Sequence, residues 1–99
     1  MLTVHESTPA IYATENIPVE DKIITTRFFA LASGAYWLIA EYDPEDRIAF
    51  GYCNLGDDEL AEWGGVSLDE LESLKWHGIP RVERDAWFEP MPFTEAMKR

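Results

Sequence analysis

Between Lys22 and Leu55, three segments rich in β-branched and aromatic residues are separated by two turn signals, a pattern that leaves little choice but an antiparallel meander. "KIITTRFFALA" (22–32) is the first strand, Ser33-Gly34 supplies a tight turn, and "AYWLIAEY" (35–42) is the second strand. Asp43 followed by Pro44 occupies the positions that a type I turn favours, so "DPED" (43–46) closes a hairpin onto "RIAFGYCNL" (47–55). The two-residue period of a strand places Tyr36, Leu38, Ala40 and Tyr42 on one face and Trp37, Ile39 and Glu41 on the other. On the third strand, Ile48, Phe50 and Tyr52 form the larger face. Ala49, Gly51 and Cys53 form a face of small residues, with room for a helix lying across the sheet.

The flanking segments complete an α+β reading. Residues 1–21, with prolines at 9 and 18, read as an extended N-terminal arm with turns. A short fourth strand is expected near Leu60–Trp63, which places the antiparallel strands within residues 22–66. Ser67 and Glu70 form a capping box, and Leu68, Leu71 and Leu74 share one stripe behind it, so one main helix is expected over 67–77. Asp69 and Glu70 in its first turn and Lys75 in its last suit the helix dipole, and Gly78 and Pro80 should stop it. The tail, 78–99, is expected to be irregular, with one short extended piece and a proline-broken segment packing back through Trp87 and Phe88. The sum is a single domain, a sheet of about four meandering strands with one main α-helix packed on it.

Charge is the strongest property of the whole chain. Its 99 residues hold 19 acids against 8 bases, a net of −11. Nearly all of the excess lies in residues 41–72, where eleven acids face Arg47 alone and the net is −10. Such a chain is repelled by nucleic acid and by anionic membranes, so direct binding to either is not expected, whereas a basic partner would be steered towards it. Asp43, Glu45, Asp46, Asp57, Asp58, Glu59, Glu62, Asp69, Glu70 and Glu72 are the candidate partner-binding residues, expected to share one acidic flank because their elements are neighbours in sequence. The single cysteine, Cys53, forms no internal disulfide and fits a reducing cytoplasmic setting. No stretch reaches the roughly 20 apolar residues that a membrane-spanning helix needs, and "MLTVHESTPA" has no signal-peptide pattern.

Enzymatic chemistry finds little support. Glu41 and Glu62 are the carboxylates in strand-like contexts that could act as acid and base, but no nucleophile or histidine accompanies them. The triplet Glu83, Arg84 and Asp85 reads more simply as an ion pair. Cys53 sits in an acidic block that disfavours its thiolate. Neither His5 nor His77 has a Cys or His at ligand spacing, and His77 suits a helix C-terminus. The turn at Asp43 lacks the glycine and downstream glutamate of a calcium loop. No cofactor, metal or catalytic residue is therefore expected.

"YATENIP" (12–18), "RFFALAS" (27–33), "WLIAEYDPEDRIAFGY" (37–52), "SLDEL" (67–71) and "ERDAWFEP" (83–90) resemble, in order and spacing, the family called domain of unknown function 2958. The resemblance runs from about Ile11 to Pro90. It implies a setting rather than an activity: small bacterial proteins often encoded on plasmids, phages and integrative elements. Accessory proteins of such elements often act on host defence or replication machinery. The resulting expectation is a non-enzymatic DNA mimic of the anti-CRISPR or anti-restriction type. Its acidic surface would block the nucleic-acid-binding site of a basic protein or complex. The alternative is a binding module that docks through Trp63, Trp76 and Trp87.

Overall fold

The computed structural model describes residues 1–98 except Ala32 and His77, with the backbone alone for Trp76, Ile79 and Pro80. Its strands are β1 (Ile23–Ile24), β2 (Thr26–Ala30), β3 (Tyr36–Asp43), β4 (Ile48–Asn54), β5 (Glu62–Ser67), β6 (Lys75–Trp76), β7 (Ile79–Pro80), β8 (Val82–Arg84) and β9 (Met91–Pro92). Two short helices, α1 (Leu68–Ser73) and α2 (Phe93–Ala96), complete the fold. Five strands form one antiparallel sheet in the order β5-β4-β3-β2-β8. β1 pairs with β9 and β6 with β7 in two small ribbons. The α+β class with a mostly antiparallel sheet is thus present, and its central meander follows the turn chemistry of the sequence.

The chain reverses near both predicted turns, but the expected first strand, 22–32, is divided: Ile23–Ile24 pair with β9, Thr26–Ala30 belong to the main sheet, and residues 31–35 connect β2 to β3. Gly34, at φ +77, carries the chain from β2 to β3. Asp43 Oδ1 accepts a hydrogen bond from Glu45 N at 3.0 Å, and Arg47 takes a left-handed φ of +54 before β4 begins. The fourth strand lies later than expected: Asp58–Leu60 form a 3₁₀ turn capped by the Asp57 carboxylate, and β5 starts at Glu62.

The main helix of 67–77 is not found. Ser67 Oγ accepts from Glu70 N at 3.2 Å, as the capping box predicts, but α1 ends at Ser73 after six residues. Leu68 and Leu71 are buried, whereas Leu74, the third member of the expected stripe, is exposed. Gly78, at φ +79, turns the chain between β6 and β7 rather than stopping a helix, so Lys75 belongs to a ribbon and not to a last helical turn. The expected role of His77 as a helix-end residue falls outside the described residues. The tail is more ordered than its prolines suggest: β8 joins β2 as the fifth strand, and β9 and α2 cover one sheet face.

Core residues occupy both faces. On the first, Phe28, Trp37, Ile39 and Ala49 are covered by Leu68 and Leu71 of α1 and by Leu2 of the arm. The small-residue face of β4 thus takes a helix, as expected, together with the N-terminus. On the second, Leu38, Tyr36, Tyr52 and Trp63 are covered by Ile24, Phe88, Met91, Phe93 and Ala96. The tail packs back through Phe88 but not through Trp87, which is 92% exposed.

A register shift between Ile39 and Glu41 changes which face the end of β3 presents. Ile39 pairs with Gly51 and Glu41 with Phe50, so one extra residue intervenes on β3, a β-bulge. Glu41 thereby moves to the second face and Tyr42 to the first, where it packs with the core, reversing the simple alternation. The bulge also explains Gly51: a Cβ there would fall onto the Leu38 carbonyl.

Candidate interaction surface

The ten acids do not form one continuous flank. β4 connects the 43–47 turn to the 55–61 loop, and its seven residues place those ends about 20 Å apart. β5 then returns, so that α1 lies beside the turn and away from the loop. One cluster, Asp43, Glu45, Asp46, Asp69, Glu70 and Glu72, therefore sits at the turn end, and Asp57, Asp58, Glu59 and Glu62 sit at the other. Neighbourhood in sequence fails as a guide here because an antiparallel strand separates the segments that it joins.

The turn-end cluster is partly neutralised. Arg47 pairs with Asp69 and with Glu72, the latter at 2.6 Å, and donates to Leu2 O at 2.7 Å. Glu72 also accepts from Leu2 N at 2.6 Å. The Arg47 hydrogen bond, with the Leu2 amide adding to it, holds the Glu72 carboxyl below the usual range, and Glu72 foremost raises the Arg47 pKa. At the other end, Asp58 accepts from Asn54 Nδ2 at 2.7 Å and Asp57 caps the 3₁₀ turn, while Glu59 and Glu62 are exposed. Among the described residues, eight of the ten acids have no ion-pair partner; Asp69 and Glu72 are the exceptions.

Between the clusters runs β5, the outer strand of the sheet. Gly64 and Gly65 lie at its centre, and a Cβ on either would meet no heavy atom within 4 Å. Among the described residues, no strand pairs with the outer side of β5.

Of the two carboxylates in strand-like contexts, Glu41 is only 3% exposed, and its partners belong to the N-terminal arm. It accepts from Tyr12 N at 2.9 Å, from Thr14 N at 3.0 Å and from the Thr14 hydroxyl. Lys22, buried beside it, donates to Thr14 Oγ1 at 2.9 Å and to the Thr14 carbonyl. Burial pushes the Glu41 pKa up, but the donors of Thr14 and Tyr12 and the charge of Lys22 outweigh it, and the net shift is downward. Glu41 thus fastens the arm to the sheet as an ionised anchor, the opposite of a carboxyl poised to give up a proton. Arm and second face enclose an open groove of about 1060 Å³, floored by Phe50 and Gly65 and rimmed by Tyr12, Ile17 and Val19. Sequence reasoning did not find this groove, because it depends on where the arm lands.

The other chemical candidates are accounted for by packing. Arg84 donates to Thr3 Oγ1 at 3.0 Å, Asp85 pairs with Arg27 at 3.7 Å, and Glu83 is exposed. Burial, and then the charge of Glu62, push the Cys53 thiol up. His5 Nδ1 bonds Ser7 N and Oγ at 3.0 and 2.8 Å. Among the described residues, no three His, Cys, Asp or Glu side chains converge as a metal site. No helix there is long and apolar enough to cross a membrane. Trp63 is engaged with Phe50, Tyr52 and Phe93, at 4.9–6.0 Å between ring centroids, and the Trp76 side chain lies outside the described residues.

Neither a curated protein nor a solved structure matches the chain. A family model does, over residues 6–96, nearly the whole length and every segment on which the resemblance rests. The chain belongs to the family described as "Protein of unknown function (DUF2958)".

Proposed function

We propose that this protein is a non-enzymatic, cytoplasmic interaction protein of a mobile genetic element. Its carboxylates meet the basic, nucleic-acid-binding surface of a host defence or DNA-processing complex, in the manner of anti-CRISPR and anti-restriction DNA mimics. The observation that carries this reading is the set of eight carboxylates that have no ion-pair partner among the described residues, gathered at the two ends of an edge strand of the sheet. Like charges so placed repel one another, and a cationic surface relieves that repulsion. Their separation of about 20 Å equals the rise of about six base pairs at 3.4 Å per phosphate along each strand, so a protein channel shaped for a short duplex could meet both clusters at once.

The test is capture from a lysate of the host at low and high salt, followed by competition. The captured protein should lose its nucleic acid when this chain is added. Asp57→Lys, Asp58→Lys and Glu59→Lys together should abolish both effects while the fold survives. Capture that ignores salt and this triple change would refute the reading.

One observation favours a second reading, docking through aromatic side chains. The Trp87 indole is 92% exposed, and Tyr12 stands free at the groove. In that case Trp87→Ala would abolish capture and salt would matter little, because apolar contact is not screened.

A further inference from the structure

The geometry points to β5 as a docking edge: an extended basic segment of a partner protein adds to it as a sixth strand, held by backbone hydrogen bonds along the strand and by carboxylates at both ends. This deepens the acidic-surface reading and rests on it for the charge of the partner.

The phase of the ladder identifies the free groups. Leu68 N donates to Arg47 O at 2.9 Å, and the pairing from Ile48↔Ser67 to Cys53↔Glu62 is unbroken. Backbone groups alternate in such a ladder, so Val66, Gly64 and Glu62 turn theirs towards β4. Trp63, Gly65 and Ser67 turn theirs outward. Among the described residues, no other part of the chain bonds these outward amides.

β5 carries one edge charge, Glu62 at its first residue, and none along its centre. Edge strands are commonly blocked by proline, by lysine, by a bulge or by a covering loop. β5 has none of the first three, and among the described residues nothing lies within 4 Å of a Cβ placed on Gly64 or Gly65, so neither face is filled at the centre of the strand. An incoming strand therefore has room for side chains on both sides of the sheet.

Charge selects the occupant. The strand ends run into Asp57–Glu62 at one end and into Asp43–Asp46 with Glu70 at the other. A second copy of this chain, in either orientation, would bring its own acidic ends against these. A segment with lysine or arginine towards both termini finds opposite charge at each end, whichever way it runs.

The probe is a labelled octapeptide alternating lysine and valine, alongside a version of equal charge with its backbone nitrogens methylated. Anisotropy at low salt should show the first binding and the second at least about tenfold weaker. On binding, the Trp63, Gly65 and Ser67 amides should gain protection from hydrogen exchange. Gly65→Pro, which removes an outward donor and leaves the β4 ladder intact, should weaken binding similarly. Equal affinity for both peptides, or no binding of either, overturns strand addition. If methylation abolishes binding but Asp57→Lys, Asp58→Lys and Glu59→Lys together do not weaken it, strand addition stands and the acidic-surface reading fails instead.

Discussion

Single residues carry much of this fold because one bulge makes them irreplaceable. Glu41 reaches the second face only through the bulge, and there it binds Tyr12 and Thr14 of the arm. Glu41→Gln keeps the side chain's volume but removes the charge that accepts from Tyr12 N, Thr14 N and the Thr14 hydroxyl. A loss of about 1.5–3 kcal/mol is expected in urea denaturation, the scale for hydrogen bonds to a charged group, with faster hydrogen exchange at Tyr12 and Thr14. The pH dependence follows from the same carboxylate. Its pKa in the folded protein lies below the ordinary value of 4.5, so the unfolded chain takes up the proton first as pH falls. Glu41 and Glu72 therefore stabilise the fold fully above that value, and their contributions disappear as pH drops through their folded pKa values. Melting curves in acid should show Glu41→Gln closing part of its gap to the parent. Gly51 gives a second residue-scale prediction. Gly51→Ala places a methyl on the Leu38 carbonyl and should cost about 3 kcal/mol or prevent folding. Gly65→Ala, in open space, should stay within about 0.5 kcal/mol.

Among the elements, α1 shows how little of a short helix's stability is its own. Six residues are too few to persist alone in water, so α1 depends on Leu68 and Leu71 in the core and on Arg47 beneath it. Arg47 also holds Leu2, which makes one guanidinium the junction of the hairpin turn, the helix and the N-terminus. Arg47→Ala should lower stability by about 1–3 kcal/mol, the range for hydrogen bonds to charged groups, and hydrogen exchange should rise in α1 and at Leu2 together. A loss confined to the turn would show that the junction does not couple these elements.

At the scale of the whole molecule, net charge sets the response to salt. A chain at −11, with most of its acids unpaired among the described residues, repels itself, and added salt screens that repulsion. The melting temperature should rise between low ionic strength and about 0.5 M sodium chloride, where the Debye length falls to a few ångströms. Binding to a basic partner should weaken over the same range. Opposite responses of fold and complex to one variable would separate self-repulsion from recognition. A melting temperature that fell with salt would instead show that ion pairs such as Arg47 with Glu72 dominate.

The strands of the meander, both hairpin turns and the cap of α1 were legible in the sequence, because each is dictated locally by side-chain period and turn chemistry. The charge and its confinement to residues 41–72 were legible for the same reason, since counting needs no coordinates. The length of the helix was not, because after Ser73 the backbone finds hydrogen bonds in the β6–β7 ribbon. The face taken by Glu41 was not, because one inserted residue inverts a period of two. The continuity of the acidic flank and the open edge of β5 were decided by strand order alone. β8 ends the sheet beyond β2 and β5 ends it beyond β4, and among the described residues no strand pairs with the outer side of β5. Local pattern determined what the strands are; only their pairing determined which one is exposed and what lies at its ends.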